Sequence, residues 1–292
     1  MIDIVYDWAV APFLDFEFMR RALVGTLALA LGSAPVGVFL MLRRMSLTGD
    51  SMAHAILPGA AIGYLVSGLS LTAMTIGGLV AGLAVAFGAG FVARTTVLKE
   101  DATLAAFYLL SLALGVTIVS LHGSNVDLLH VLFGTVLALD NDALTLLAGI
   151  TTITLVTLAL IFRPLVIECV DPQFLRSISR AGAPVHFAFM GLVVLNLVAG
   201  FHALGTLLAV GLMMLPAASA RLWAIDLSGL IAVAVVIAVL SGYFGLIASY
   251  QFGLPSGPAI ILAAGVAYAF SLVFGRVGGF LWRLIPQRHL EA

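Results

Sequence analysis

The sequence predicts an all-α fold, a polytopic bundle of transmembrane helices, and three observations lead there. Of 292 residues, 62% are hydrophobic and only 9% charged, against roughly a quarter charged in an ordinary soluble domain. The apolar residues come in runs close to the ~20 residues that cross the hydrocarbon core of a bilayer. The gaps between runs are short and carry Gly, Pro, Ser or charge. So apolar a chain cannot bury its side chains in one water-soluble core, because the surface must be covered too. Disorder, a secreted disulfide scaffold and a soluble enzyme are thereby excluded.

The elements follow in chain order within one transmembrane domain over residues 1–292. Residues 1–17 place Asp3, Asp7, Asp15 and Glu17 ahead of any basic residue and lack the basic start and cleavage site of a signal peptide. They read as an interfacial segment with Trp8 at the headgroups. Spans are expected near 22–42, 52–67, 71–93, 103–121, 143–162, 185–200, 203–220, 229–249 and 257–275. The second of these is short, and Pro58 breaks it. Gly77, Gly78, Gly82, Gly88 and Gly90 read as small residues that let membrane helices approach closely. The stretch from Leu57 to Ala61 is faintly echoed by Leu215-Pro216-Ala217-Ala218, as an inverted repeat would be.

Basic residues set the orientation, because cytoplasmic loops collect Lys and Arg. Arg43 and Arg44, Arg94 and Lys99, Arg163 through Arg180, Arg221, and Arg276 through Arg288 fall on one side. The opposite loops contain no Lys or Arg, with Arg20 and Arg21 as snorkelling exceptions. The N-terminus is therefore expected outside. A loop at 163–184 and a tail at 276–292 are expected in the cytoplasm. The net charge of −1 points to no nucleic-acid partner. Membrane lipid is the expected surrounding.

Few residues can carry chemistry. Cys169 is the sole cysteine, so a Cys-rich metal site and an intrachain disulfide are out. Lys99, the sole lysine, lies between Leu98 and Glu100 and cannot belong to a Walker-type phosphate loop. Asp50 and His54 are four apart, so on a helix they share a face. A carboxylate and an imidazole there can hold one divalent transition metal. Two ligands are fewer than the four of a closed structural zinc site, which suits an ion in transit. The bland reading is that Asp50 caps a helix and His54 packs.

Asp171-Pro172-Gln173-Phe174-Leu175 reads as a helix start with Pro at its first position. Phe174, Leu175 and Ile178 would form its apolar face before Gly182, either docking into a partner's groove or lying on the bilayer. The outer stretch from His122, with Asp127, His130, Asp140 and Asp142, could attract cations or be an ordinary solvated loop. His202 ends a span and reads as an interfacial histidine.

The stretch from Arg43 to Gly59, centred on Thr48-Gly49-Asp50-Ser51-Met52-Ala53-His54, resembles the membrane permeases of ABC-type zinc and manganese importers. The likeness continues at Lys99-Glu100-Asp101-Ala102, Asn125-Val126-Asp127-Leu128, Asp171-Pro172-Gln173-Phe174, Leu215-Pro216-Ala217-Ala218-Ser219-Ala220-Arg221 and Leu254-Pro255-Ser256-Gly257-Pro258. The resemblance implies eight to nine spans, a homodimer with the pathway between subunits, and a separate ABC ATPase docked on a coupling helix. It also implies an extracytoplasmic metal-binding protein and a bacterial inner-membrane location. Asp50 and His54 match the family's pathway ligands. The coupling region matches Glu168, Asp171, Pro172, Phe174, Leu175 and Gly182. No permanent cofactor is implied, only a transported ion, Zn2+ or Mn2+. Imidazole tips the expectation slightly towards zinc. The rival is a secondary carrier driven by an ion gradient, which would need several intramembrane carboxylates as a relay.

Overall fold

The computed structural model describes residues 6, 8–68, 70–121 and 139–284. Its described residues form helices and connections, with no strand among them. The helices are α1 (Ala11–Asp15), α2 (Glu17–Leu42), α3 (Thr48–Ala55), α4 (Leu57–Ser67), α5 (Leu71–Thr95), α6 (Glu100–Leu121) and α7 (Asn141–Val170). They continue as α8 (Pro172–Ile178), α9 (Gly182–Leu204), α10 (Thr206–Ala220), α11 (Leu227–Phe252), α12 (Ser256–Phe274) and α13 (Phe280–Leu284).

Among the described residues, seven helices are long and apolar enough to cross a membrane: α2, α5, α6, α7, α9, α11 and α12. The other two expected spans differ for local backbone reasons. The segment expected at 52–67 starts earlier and is two helices, α3 and α4, meeting at Ile56. Pro58, in the first turn of α4, has no N–H with which to continue the α3 ladder. At the break, Ser111 Oγ of α6 donates to the Ala55 carbonyl at 2.9 Å. The segment expected at 203–220 is α10, only 15 residues long. It is cut from α9 by Gly205, whose φ of 94° and ψ of 154° suit only a residue without Cβ.

The helices form two joined cores. One gathers α2, α7, α10 and α11 around Leu29, Leu147, Leu208 and Leu246. The other gathers the end of α2 with α3, α4, α5 and α9 around Phe39, Met52, Ile56, Val194 and Phe189. In the second core, α4 and α5 touch backbone to backbone. A Cβ added at Gly59 would overlap the Gly77 carbonyl oxygen, and one at Gly77 would overlap that of Gly59. The small residues expected to allow close packing do so here.

The bundle has two chemically distinct ends. At one, Trp8 meets Phe252 edge-on at 6.4 Å, Phe16 meets Tyr250, and Gln251 Nε2 donates to the Trp8 carbonyl. At the other, Arg43, Arg94, Glu100, Glu168 and His186 converge. Arg43 and Arg94, two of the residues expected on the cytoplasmic side, therefore lie together at this end. The loop expected from 163 is shorter than anticipated, because α7 runs on through Arg163 and Pro164 to Val170. Thirty residues make a helix of ~45 Å, well beyond the ~30 Å hydrocarbon core.

Candidate metal site and loop helix

The limb that carries Asp50 and His54 begins with the turn that ends α2. Arg43 is the C-cap, Arg44 follows at φ 59°, and the next amides fold back: Arg44 N to Met41 O at 3.0 Å, Met45 N to Leu40 O at 2.9 Å. This is a Schellman closure with arginine where glycine is usual. Leu40 and Met45 are buried beneath it and fix the angle at which the chain enters α3.

Leu47, with no side-chain cap, is the N-cap of α3. Asp50 is the third helical residue, so the reading of Asp50 as the cap is corrected: the helix begins before it. Met52 and Ala55 face the core. Asp50 and His54 lie on the other side, with side chains 70% and 39% exposed. His54 Nε2 stands 3.9 Å from Asp50 Oδ1. That is too long for a hydrogen bond but within reach of one shared ion, given ligand distances of about 2 Å to each. The Tyr108 ring of α6 lies beside His54, centroids 6.5 Å apart. No group of three or more His, Cys, Asp or Glu among the described residues could hold a metal. The pair alone supplies two donor groups on one exposed face.

The loop helix α8 starts as the sequence predicts. Asp171 Oδ1 accepts from Gln173 N at 3.0 Å and Phe174 N at 2.9 Å, and Pro172 opens the helix. Its expected apolar face is divided. Phe174 and Ile178 are exposed, whereas Leu175 is 2% exposed and belongs to the protein's own interior. Leu175 is therefore corrected from a partner contact to an anchor of α8. Glu168 is buried near the end of α7 and accepts from Arg94 Nη2 at 3.2 Å. Gly182 opens α9.

Asp127 and His130 lie outside the described residues, as does Asn125. Asp140 is the N-cap of α7, accepting from Ala143 N at 2.8 Å, and Asp142 is exposed in the first turn. His202 falls in the last turn of α9. Sequence reasoning passed over His186 and the ionic contacts of Arg43, Arg94 and Glu100. They come from separate stretches of the chain, and no spacing rule joins them.

Comparison with known proteins follows this geometry. The chain is 32% identical to the manganese transport system membrane protein MntC of Listeria monocytogenes over 269 residues, 92% of this chain and 95% of the relative. It is 30% identical to the manganese import system permease protein ScaB of Streptococcus parasanguinis, over 90% of this chain and 94% of the relative. Its structure superposes on PsaBC from Streptococcus pneumoniae, solved in complex with Fab, with a TM-score of 0.80 at 28% identity, covering 97% and 98% of the two chains. MntC and ScaB are named for manganese transport, and the expectation that zinc comes first finds no support in these relatives. A mixed nitrogen and oxygen site binds zinc more tightly than manganese, so the imidazole alone does not decide the cargo, which geometry and metal availability select. Residues 15–275 match the ABC 3 transport family, and the chain belongs to that family as a multi-pass membrane component of a metal transport system.

Proposed function

We propose that the chain is the membrane permease subunit of an ATP-driven importer of divalent transition-metal ions, with manganese as the cargo. The observation that carries this reading is the Asp50–His54 face, a carboxylate and an imidazole four residues apart on a kinked limb in a chain of this family. Asp50 supplies charge and an oxygen, and His54 supplies a neutral nitrogen. The exposure of both leaves room for ligands from a second copy of the chain, from backbone carbonyls or from water. The pathway then lies between two permease subunits in the bacterial inner membrane.

The permease performs no covalent chemistry in this reading. ATP binding to a separate ABC ATPase biases one of two packings, and the ion site opens to alternate sides. An extracytoplasmic metal-binding protein delivers the ion. The ATPase docks on α8, where exposed Phe174 and Ile178 fill its groove and Asp171 and Pro172 fix the helix start. Glu168, Leu175 and Gly182 hold α8 to the bundle. A gradient-driven carrier is less well supported, because Glu168 is committed to Arg94 and Glu100 to His186.

Manganese uptake by cells carrying Asp50→Asn tests the proposal. The variant keeps size and polarity but removes the charge. Uptake should fall at least about tenfold, with membrane insertion and ATPase binding retained. Uptake at the unmodified level would end the metal-site assignment.

A further inference from the structure

The strongest unassigned feature is the charged cluster at the basic end. Arg43 Nη2 lies 2.6 Å from His186 Nδ1. An arginine can only donate, so Nδ1 accepts, and the proton of a neutral His186 sits on Nε2. That nitrogen is 3.1 Å from Glu100 Oε1. Beside this chain stands the Arg94–Glu168 pair. Arg43 lies over the Phe189 ring and Arg94 over the Phe187 ring. The two groups line one cavity of about 150 Å³, which Pro172 of α8 also borders. Arg43 Nη1 and Glu168 Oε2 are buried without a hydrogen-bond partner among the described residues.

Such a cluster is a poor adhesive. A buried ion pair replaced by apolar residues of similar volume often leaves stability unchanged or higher. Its placement is more telling. Glu168 sits one turn before Asp171, the cap of α8. Arg43 sits at the closure that aims α3. Arg94 ends α5 and Glu100 begins α6. These are the helices that grip the limb α3–α4, α5 through the Gly59–Gly77 contact and α6 through Ser111. The unused donor on Arg43 and the unused acceptor on Glu168 leave the network a second way to pair.

We infer that Arg43, Arg94, Glu100, Glu168 and His186 form an ionic joint that passes displacement of α8 to the limb α3–α4 bearing Asp50 and His54. These five are positioning residues for transport. The inference rests on the importer reading above and adds to it how the loop helix and the ion site are connected. In one arrangement Arg94 holds Glu168 and Arg43 holds His186. Movement of α8 shifts Glu168, and the carboxylate re-pairs with Nη1 of Arg43, drawing Arg43, and with it the entry to α3, away from His186.

The test uses the complete importer, permease with its ATPase and metal-binding protein, reconstituted in liposomes with labelled manganese outside. Uptake and ATP hydrolysis are measured on the same preparation. The apolar double variant Arg94→Met with Glu168→Leu should assemble and melt no lower than the unmodified complex. Its ratio of uptake to hydrolysis should fall at least about tenfold. An unchanged ratio overturns the joint and leaves the cluster a structural plug. If the double variant does not assemble, the exchange Arg94→Glu with Glu168→Arg decides. Recovery of the ratio relative to either single change supports the joint, and failure to recover overturns it. Asp50→Asn run in parallel separates the two ideas: normal uptake there refutes the ion site, whereas the ratio in the cluster variants speaks only to coupling.

Discussion

The limb α3–α4 and the helix α10 make an instructive pair. Each occupies the place of a span without being one long helix, and each carries a Leu-Pro step. Each is also entered through a residue with positive φ, Arg44 in one case and Gly205 in the other. Their interiors differ. In α10 Pro216 sits inside a continuous helix whose Leu208, Leu212, Met213 and Ala217 are buried, and no ionisable group is present. In the limb the helix breaks before Pro58, and the piece ahead of the break presents Asp50 and His54 outward. Proline within a helix bends a packing element, whereas proline in the first turn of a helix leaves the helix before it to end.

Substitutions can break or sharpen this contrast. Gly59→Ala drives a Cβ into the backbone of α5, while Gly211→Ala on α10 meets only the flexible end of Ile261. We expect a loss of about 3 kcal/mol from the first and about 1 kcal/mol from the second, read by thermal unfolding in detergent. Equal losses would mean that the limb is held no more tightly than α10. Gly205→Ala forces an L-residue into a glycine-only conformation and should lower stability by about 2 kcal/mol. A stability as high as the parent's would show that the α9–α10 break tolerates a relaxed geometry.

Pro58→Ala should straighten the limb and reduce manganese uptake about tenfold, whereas Pro216→Ala should change it no more than about twofold. The reverse order would transfer the functional kink to α10. Arg44→Gly is the gentlest probe. Relief of left-handed strain, offset by the freedom of glycine in the unfolded chain, should raise stability by about 0.5 kcal/mol with uptake unchanged.

Much of this was legible in the sequence where the signal is local. Asp50 and His54 are joined by helical spacing, and Asp171-Pro172 announces α8 by cap and ring chemistry that acts within a few residues. The long apolar runs gave seven helices of spanning length. Arg163 and Pro164 suggested a loop, yet α7 accommodates both, because proline bends a helix without always ending it. The likeness between Leu57-Pro58 and Leu215-Pro216 did not carry a common structure. The partners of Arg43, Arg94, Glu100 and His186 were illegible, since 143 positions separate Arg43 from His186 and only tertiary folding brings them together. The division of the α8 face, with Leu175 inward and Phe174 outward, depends likewise on how α8 lies against α7 and α9.

The length of α7 has a mechanical consequence. A rod of ~45 Å through a ~30 Å slab protrudes at one or both faces. Where the rod carries α8 at its tip, small rotations are amplified by leverage. A tilt of about 5° around the membrane midplane moves a tip ~25 Å away by ~2 Å, the scale on which helix shifts switch packed interfaces. An attached motor would therefore need only a short stroke on the tip, and the bilayer itself would serve as the fulcrum.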